Sequence, residues 1–324
     1  MSGPSSYPAD GVAIETNNLT KRFGDVIAVN GVNLSVPQGS AFGFVGPNGA
    51  GKTTLIRTLL GLTRSNSGDF RILGCSIPEE RSLALARVGA IIEEPRFHPF
   101  LTGLENLKVI AAAREPEARM LIRPALARVG LTDRADKRVK TYSTGMRQRL
   151  GIARCLIADP LLLILDEPMN GLDPAGIEEL REMIRAFVGE GKTVFLSSHL
   201  LDEVQKMADD IAIVQAGKLV LHGSVQELVA GGRQTLRIRV DAPDRAEATV
   251  RALGIVTAVT HGEHGNLEVS LGRMDDESSI AITRALVEAG VGVVEVVRQS
   301  ESLEDRFLEI TAGSTAGEMG EASS

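Results

Sequence analysis

Two kinds of apolar spacing alternate along the start of the chain. Apolar residues at every second position predict strands over residues 12–19 and 26–36, with a turn at 23–25 between them. The wholly apolar run Ala41–Val45 is typical of a buried strand, and helical spacing follows it over residues 53–60. We therefore expect a buried strand, a short loop and a helix in direct succession.

Helical spacing dominates the next part of the chain. Residues 104–131 interleave alanine with charged positions, and Pro116 and Pro124 predict breaks between helical segments. A loop over residues 141–145 then leads into a predicted helix at 146–157. Together these segments predict a small helical subdomain at about residues 95–158.

Strands and helices alternate again beyond this subdomain. The pattern predicts a buried strand at 161–165, an amphipathic helix ending at 188, a strand at 193–196, a hairpin at 211–214 and 218–222, and a short helix at 225–229. These elements complete a first domain, predicted at residues 12–230.

The pattern changes after Gly231 and Gly232, which predict a hinge. Beyond them, residues 236–298 follow the order strand, helix, strand, strand, helix, strand, which is typical of a ferredoxin-like sandwich. One further helix is predicted at 302–310. We therefore predict an α+β accessory domain at 233–311, with disordered segments at 1–11 and 312–324.

Composition and charge narrow the class of protein. The chain has 324 residues, of which 43% are hydrophobic and 24% charged, as in ordinary globular domains. A net charge of −7 without a lysine- or arginine-rich block argues against direct binding of nucleic acid. The apolar run at 161–165 is much shorter than the roughly 20 residues of a membrane-spanning helix. If the protein acts at a membrane, we expect another chain to cross it.

The sequence GPNGAGKTT fits the phosphate-binding pattern GxxxxGK[ST] between the predicted strand and helix. Backbone N–H groups at a helix N-terminus bind phosphate oxygens, so we expect this loop to cradle a nucleotide. Lys52 would reach the β- and γ-phosphates, and the Thr53 hydroxyl would bind Mg²⁺. An ordinary glycine-rich turn is the alternative. The nucleotide-contacting positions predicted here are Gly46, Pro47, Asn48, Gly49, Ala50, Gly51, Lys52, Thr53 and Thr54.

Polar side chains follow two of the later predicted strands. Asp166 and Glu167 come directly after the apolar run 161–165, and open parallel sheets bind ligands at such strand ends. We predict that Asp166 holds Mg²⁺, through water, and that Glu167 polarises the attacking water. A helix-capping acidic pair is the alternative. His199 follows the next strand, where a γ-phosphate could lie, although a lone histidine is usually structural.

The ordered set GPNGAGKTT, YSTGM, LLLILDEP, NGLDP and SSH resembles the nucleotide-binding subunit of an ATP-binding cassette (ABC) transporter over about residues 12–230. The C-terminal third is similar to the accessory domain of drug-exporter ATPases of the daunorubicin- and bacitracin-resistance type. The resemblance implies an α/β P-loop NTPase cassette, in which a helical subdomain is added to a RecA-like core.

The same resemblance implies an activity. The chain would hydrolyse ATP with Mg²⁺ at the cytoplasmic face of the membrane. It would power export of an antibiotic, drug or lipid-like compound through a separate integral membrane permease. Phe23, in the KRFG turn, would be the adenine-stacking aromatic, Glu167 the catalytic base and His199 the switch histidine. From the residues alone, local packing of Phe23 is an equal alternative.

The family's head-to-tail pairing implies a homodimer. Each ATP would lie between the phosphate loop of one subunit and the signature loop of the other. Ser143 and Gly145 would then contact the γ-phosphate held by the partner copy, and Asp173 would communicate across the dimer.

Two departures from the family pattern stand out. The signature is commonly LSGGQ, whereas Tyr142, Thr144 and Met146 replace three of its five residues. Where most members have a glutamine that joins the metal site to the membrane subunit, this chain has Glu93, which resembles bacitracin and lantibiotic self-protection exporters. Glu93 would thus lie at the metal site with Thr53 and Asp166, where its carboxylate would add negative charge near Mg²⁺ and the γ-phosphate. It could tighten metal binding or repel phosphate.

Two rival interpretations stay open. The first is a non-transport ABC ATPase that acts on ribosomes, DNA or assembly factors. The single cassette, the lack of a long coiled-coil insertion and the lack of a basic patch argue against it. The second makes the C-terminal domain a ligand-sensing module, by analogy with other ferredoxin-like sandwiches.

Overall fold

A computed structural model describes residues 11–114, 116–230, 234–262, 266–272, 275–300 and 303–304. The chain forms two compact units, Met1–Val225 and Gln226–Ser324. The predicted hinge at Gly231 and Gly232, the segments 1–10 and 312–324, and most of a helix predicted at 302–310 lie outside the described residues. The division falls five residues before the predicted domain end at 230, so the helix Val225–Ala230 belongs almost wholly to the second unit.

An antiparallel sheet begins the first unit. Its strands are β1 (Val12–Phe23), β2 (Val26–Pro37), β4 (Ser67–Ile72) and β5 (Cys75–Ser76), in the order β2-β1-β4-β5. Strand β1 extends four residues beyond its predicted end at residue 19, because its backbone continues to pair with β2 as far as Phe23 opposite Val26. Ladder hydrogen bonds do not require apolar side chains, so alternation alone underestimates the strand.

A six-stranded sheet forms the centre of the same unit, in the order β10-β9-β3-β8-β7-β6. The parallel strands are β3 (Ala41–Val45), β6 (Val88–Ile91), β7 (Leu162–Leu165), β8 (Thr193–Ser198) and β9 (Asp210–Gln215), and β10 (Lys218–Ser224) pairs antiparallel with β9. Every residue of β3 and β7 is buried, as their continuous apolar sequences predict. The associated helices are α1 (Lys52–Leu59), α2 (Arg81–Ala86), α7 (Pro174–Gly189) and α8 (Leu201–Gln205).

The predicted helical subdomain contains α3 (Gly103–Ala111), α4 (Glu117–Met120), α5 (Ile122–Arg128) and α6 (Thr144–Leu156). The prediction that Pro124 breaks a helix is wrong. Pro124 occupies the first turn of α5, where its missing N–H costs no hydrogen bond. Helix α6 begins two residues before its predicted start at Met146, because the Ser143 hydroxyl accepts a hydrogen bond from Met146 N and caps it. Thr144 and Gly145 therefore lie in the first helical turn rather than in a loop.

The second unit contains α9 (Val225–Ala230), β11 (Gln234–Val240), α10 (Pro243–Arg251), β12 (Val256–His261), β13 (Asn266–Leu271), α11 (Asp276–Glu288) and β14 (Val293–Ser300). From β11 onward the predicted βαββαβ order is observed. All strand pairs are antiparallel in the order β12-β13-β11-β14, the split βαβ arrangement. Its core includes Leu236 and Ile238 on β11 and Ile282 and Leu286 on α11. No helix among the described residues is both long and apolar enough to cross a bilayer.

Candidate nucleotide site

The loop between β3 and α1 is fixed by close backbone contacts. Gly46 N donates to Ser198 O on β8 over 3.1 Å. Gly51 has φ of +103°, and a Cβ there would lie 2.0 Å from Ala28 O. Only glycine fits at that point, so the loop follows one path into helix α1. The loop borders a cavity of about 220 Å³, lined by Ala28, Asn48, Gly49, Gly51, Lys52, Thr53, Thr54 and Glu167.

Lys52 is buried inside this loop. Its Nζ donates to Gly46 O over 2.6 Å and to Pro47 O over 3.1 Å, and lies 3.1 Å from Glu167 Oε1. A buried ammonium group needs such partners because burial removes its hydration. The charge is thus held at the cavity wall, where a phosphate oxygen could replace the carboxylate as its partner.

Two of the three residues predicted to hold Mg²⁺, Thr53 and Asp166, are already in contact. Thr53 Oγ1 donates to Asp166 Oδ2 over 2.9 Å, and Asp166 N donates to Ile91 O on β6 over 2.8 Å. Ser197 Oγ on β8 donates to Asp166 Oδ1 over 2.6 Å and accepts from Glu167 N over 3.0 Å. Ser197 therefore joins the two acidic residues. Ser197 was not among the predicted site residues, although its place in the SSH motif, directly after the predicted strand 193–196, was a usable signal.

Glu167 lies between a cation and an imidazole. Its Oε2 is 2.9 Å from His199 Nδ1. Its Oε1 is buried and forms the ion pair with Lys52, but it accepts no hydrogen bond among the described residues. Glu167 also has φ of +47°, a left-handed conformation that costs a non-glycine residue about 1–3 kcal/mol. Such strain persists only where neighbouring contacts fix the residue. The carboxylate is therefore held in one place at the edge of the loop cavity, which it lines.

The oxygen donors of this site fit Mg²⁺ bound together with phosphates. Among the described residues, His, Cys, Asp and Glu form no group of three or more that could hold a metal. Mg²⁺ usually keeps several waters and takes one or two protein oxygens plus substrate phosphates. A threonine hydroxyl and one carboxylate, 2.9 Å apart, match that requirement.

Ser143, Gly145 and Asp173 lie elsewhere on the unit. They border a separate cavity of about 440 Å³ at the N-termini of α6 and α7, which no phosphate-loop residue lines. Asp173 Oδ1 caps α7 by accepting from Gly176 N over 2.9 Å. Tyr142, one of the departures from the family signature, is buried, and its hydroxyl donates to Arg134 O over 2.7 Å. One chain thus brings together the loop, Asp166, Glu167 and His199, but not the signature residues.

Two further predicted residues have contacts of their own. Phe23 ends β1 with its side chain 53% exposed, and Lys21 Nζ lies 4.8 Å from the ring centroid. Its ring is therefore accessible to a flat ligand. Glu93 pairs with Arg57 over 2.7 Å and makes no described hydrogen bond to Thr53 or Asp166.

Comparison with known proteins identifies the family. The ABC transporter family profile matches residues 29–170. The uncharacterized ABC transporter ATP-binding protein YhcH of Bacillus subtilis is 41% identical over 94% of this chain and 98% of its own length. The chain belongs to the ABC transporter ATP-binding proteins. The predicted resemblance is thus confirmed, and this ABC protein is an ATP-binding ATPase subunit.

Two further similarities refine the picture of this ABC protein. The bacitracin transport ATP-binding protein BcrA of Bacillus licheniformis is 37% identical over 94% of this chain and 99% of its own length. The solved structure of CbiO1 from Clostridium perfringens, part of the transporter complex CbiONQ, has a TM-score of 0.63 at 26% identity. It covers 68% of this chain and 92% of that one, which confirms the cassette fold.

Proposed function

We propose that two copies of this ABC protein bind ATP between them and hydrolyse it, with Glu167 as the base in each site. The carrying observation is that Ser143, Gly145 and Asp173 line a different cavity from Lys52 and Glu167. A head-to-tail pair would place α6 of one copy against the phosphate loop of the other. The N-terminus of this 13-residue helix offers N–H groups and a positive dipole end to a phosphate.

Each residue near the loop has a distinct task in this proposal. Lys52 binds phosphate oxygens, and Thr53 and Asp166 hold Mg²⁺, which when bound neutralises phosphate charge. Glu167 accepts the proton of the attacking water, and His199 orients the Glu167 carboxylate across their 2.9 Å contact. The exposed ring of Phe23 stacks on adenine.

We further propose that the ATPase cycle drives export of an antibiotic, drug or lipid-like compound through a separate membrane permease, with this subunit at the cytoplasmic face. The name of the relative BcrA, a bacitracin transport ATP-binding protein, supports this proposal over 94% of the chain. Glu93 supports it as well, because its place in the sequence resembles that of self-protection exporters.

Replacing Glu167 with Gln tests the chemical part. We expect hydrolysis to fall at least about 100-fold, because a general base contributes about 10²–10⁴ in rate. ATP binding should persist, and an ATP-dependent dimer should appear in size-exclusion chromatography. Glu117→Gln, an exposed carboxylate on α4, is the matched control. Undiminished hydrolysis by the Glu167→Gln variant would exclude the assigned base.

The transport part needs the membrane subunit. Cells producing this protein with that subunit should tolerate the exported compound better than cells carrying the Glu167→Gln variant, with bacitracin as the first probe. The transport role would be overturned if no integral membrane protein co-purified with this subunit and if the subunit bound ribosomes or DNA in a salt-sensitive way. Those results would favour a non-transport ATPase.

A further inference from the structure

The loop after β6 is held by two neighbouring glutamates. Glu93 Oε1 accepts from Arg57 Nη2 over 2.7 Å, and Glu94 Oε1 accepts from Arg147 Nε over 3.2 Å. Arg57 lies on α1, which begins in the phosphate loop, and Arg147 lies on α6, which begins at the signature residues. This short loop therefore contacts both helices whose N-termini belong to the proposed ATP sites.

Glu93 lies close to the other two predicted metal ligands, Thr53 and Asp166, without a described hydrogen bond to either. Arg57 follows Thr53 by one helical turn on α1, so their Cβ atoms are about 5–6 Å apart. On the other side, Ile91 O accepts from Asp166 N, and Glu93 is two residues further along the chain. The Arg57–Glu93 pair thus adjoins the Thr53–Asp166 contact.

The backbone of Glu93 is held in an unfavourable conformation, whereas its side-chain ion pair with Arg57 is exposed and can break and re-form. Its φ of +57° is left-handed, which is unfavourable for a non-glycine residue unless neighbouring contacts fix it. The side chains of Arg57 and Glu93 are 46% and 61% exposed, so water can replace either partner. An exposed pair of this kind opens easily, unlike the largely buried contact of Lys52 with Glu167.

We propose that Arg57 is a positioning residue that holds the Glu93 carboxylate away from the nucleotide phosphates. This inference rests on the proposed binding of ATP phosphates at residues 46–54. While paired, Glu93 adds little net charge to the site, because the fields of two opposite charges 2.7 Å apart largely cancel at distances longer than that separation. Without Arg57, the carboxylate is free to approach the phosphates and the metal, so it repels ATP and attracts Mg²⁺. Arg57, on α1, thus determines how strongly the Glu93 carboxylate repels ATP and attracts Mg²⁺.

A double-mutant cycle tests this role. ATP affinity is measured without Mg²⁺ for the wild-type protein and for the variants Arg57→Gln, Glu93→Gln and both together. We expect Arg57→Gln to weaken metal-free binding about two- to fivefold, the range corresponding to an exposed ion pair. In the Glu93→Gln background, Arg57→Gln should change the logarithm of the ATP dissociation constant by less than about half as much as in the wild-type background. Equal factors in both backgrounds would overturn the proposal, because Arg57 would then act independently of Glu93.

A second readout requires no nucleotide. Hydrogen exchange of the backbone around Glu93 should become faster in Arg57→Gln, and unchanged exchange would also overturn the positioning role. Arg87→Gln is the matched control. It breaks an exposed ion pair, in which Arg87 Nη2 lies 2.9 Å from Asp159 Oδ2, and this pair is remote from the nucleotide site. If the wild-type protein bound no ATP, the proposed function would fail, while hydrogen exchange would still decide whether Arg57 positions this loop.

Discussion

Ser197→Ala should destabilise the first unit more than an ordinary serine substitution does. The Ser197 side chain is fully buried, donates to Asp166 Oδ1 over 2.6 Å and accepts from Glu167 N over 3.0 Å. Its removal deletes a hydrogen bond to a charged group, worth about 1.5–3 kcal/mol, and leaves a part-buried N–H without its partner, at about 1–3 kcal/mol. Because the two effects share one hydroxyl and are not additive, we expect a combined loss of about 2–5 kcal/mol.

Thermal unfolding measures this loss. For a unit of this size, each kcal/mol lowers Tm by about 2–4 °C, so a fall of about 4–20 °C is expected. Ser198→Ala is the control, because Ser198 is equally buried but its hydroxyl accepts only from Leu200 N, over 3.0 Å, among described contacts. A Ser197→Ala protein with the same Tm as Ser198→Ala would refute the reasoning. The variant should also require more Mg²⁺ for hydrolysis, since Asp166 loses a fixed orientation.

Two further predictions follow from packing. Gly51→Ala should abolish ATP binding and lower Tm in the absence of ligand. The reason is that the added Cβ would lie 2.0 Å from Ala28 O, at a φ of +103°. A variant that still bound ATP normally would contradict the described loop path. Burial raises the pKa of Cys155 to about 11. At pH 8 this thiol should therefore not react with a thiol reagent in the native protein, whereas it should react in the unfolded chain. Rapid labelling of Cys155 in the native protein, detected by mass spectrometry, would contradict this expectation.

The phosphate loop shows how much local sequence can determine. Its glycines, Lys52 and Thr53 lie next to one another in the chain, and the flanking strand and helix follow from short-range periodicity. The strand ends that deliver Asp166, Glu167 and His199 were also predicted, because buried parallel strands have continuous apolar sequences. Family membership, now confirmed, follows from these motifs in their order.

Contacts between distant segments were not predicted. Neither the bridge from Ser197 to Asp166, 31 residues apart, nor the pairing of Arg57 with Glu93, 36 residues apart, leaves a periodic trace in the sequence. The early start of α6 was missed for a different reason, since a serine marks a helix start only when its hydroxyl reaches the correct N–H.

The sequence by itself therefore determined which groups carry the chemistry, because strand, loop and helix signals are short-range. Only the tertiary structure decided how those groups are held. The order β3-β8-β7-β6 brings the ends of separate strands to one edge, where Ser197 fixes both carboxylates and Arg57 takes the charge of Glu93. Such placement depends on sheet order and helix packing, which arise from the burial of the whole core rather than from any single segment.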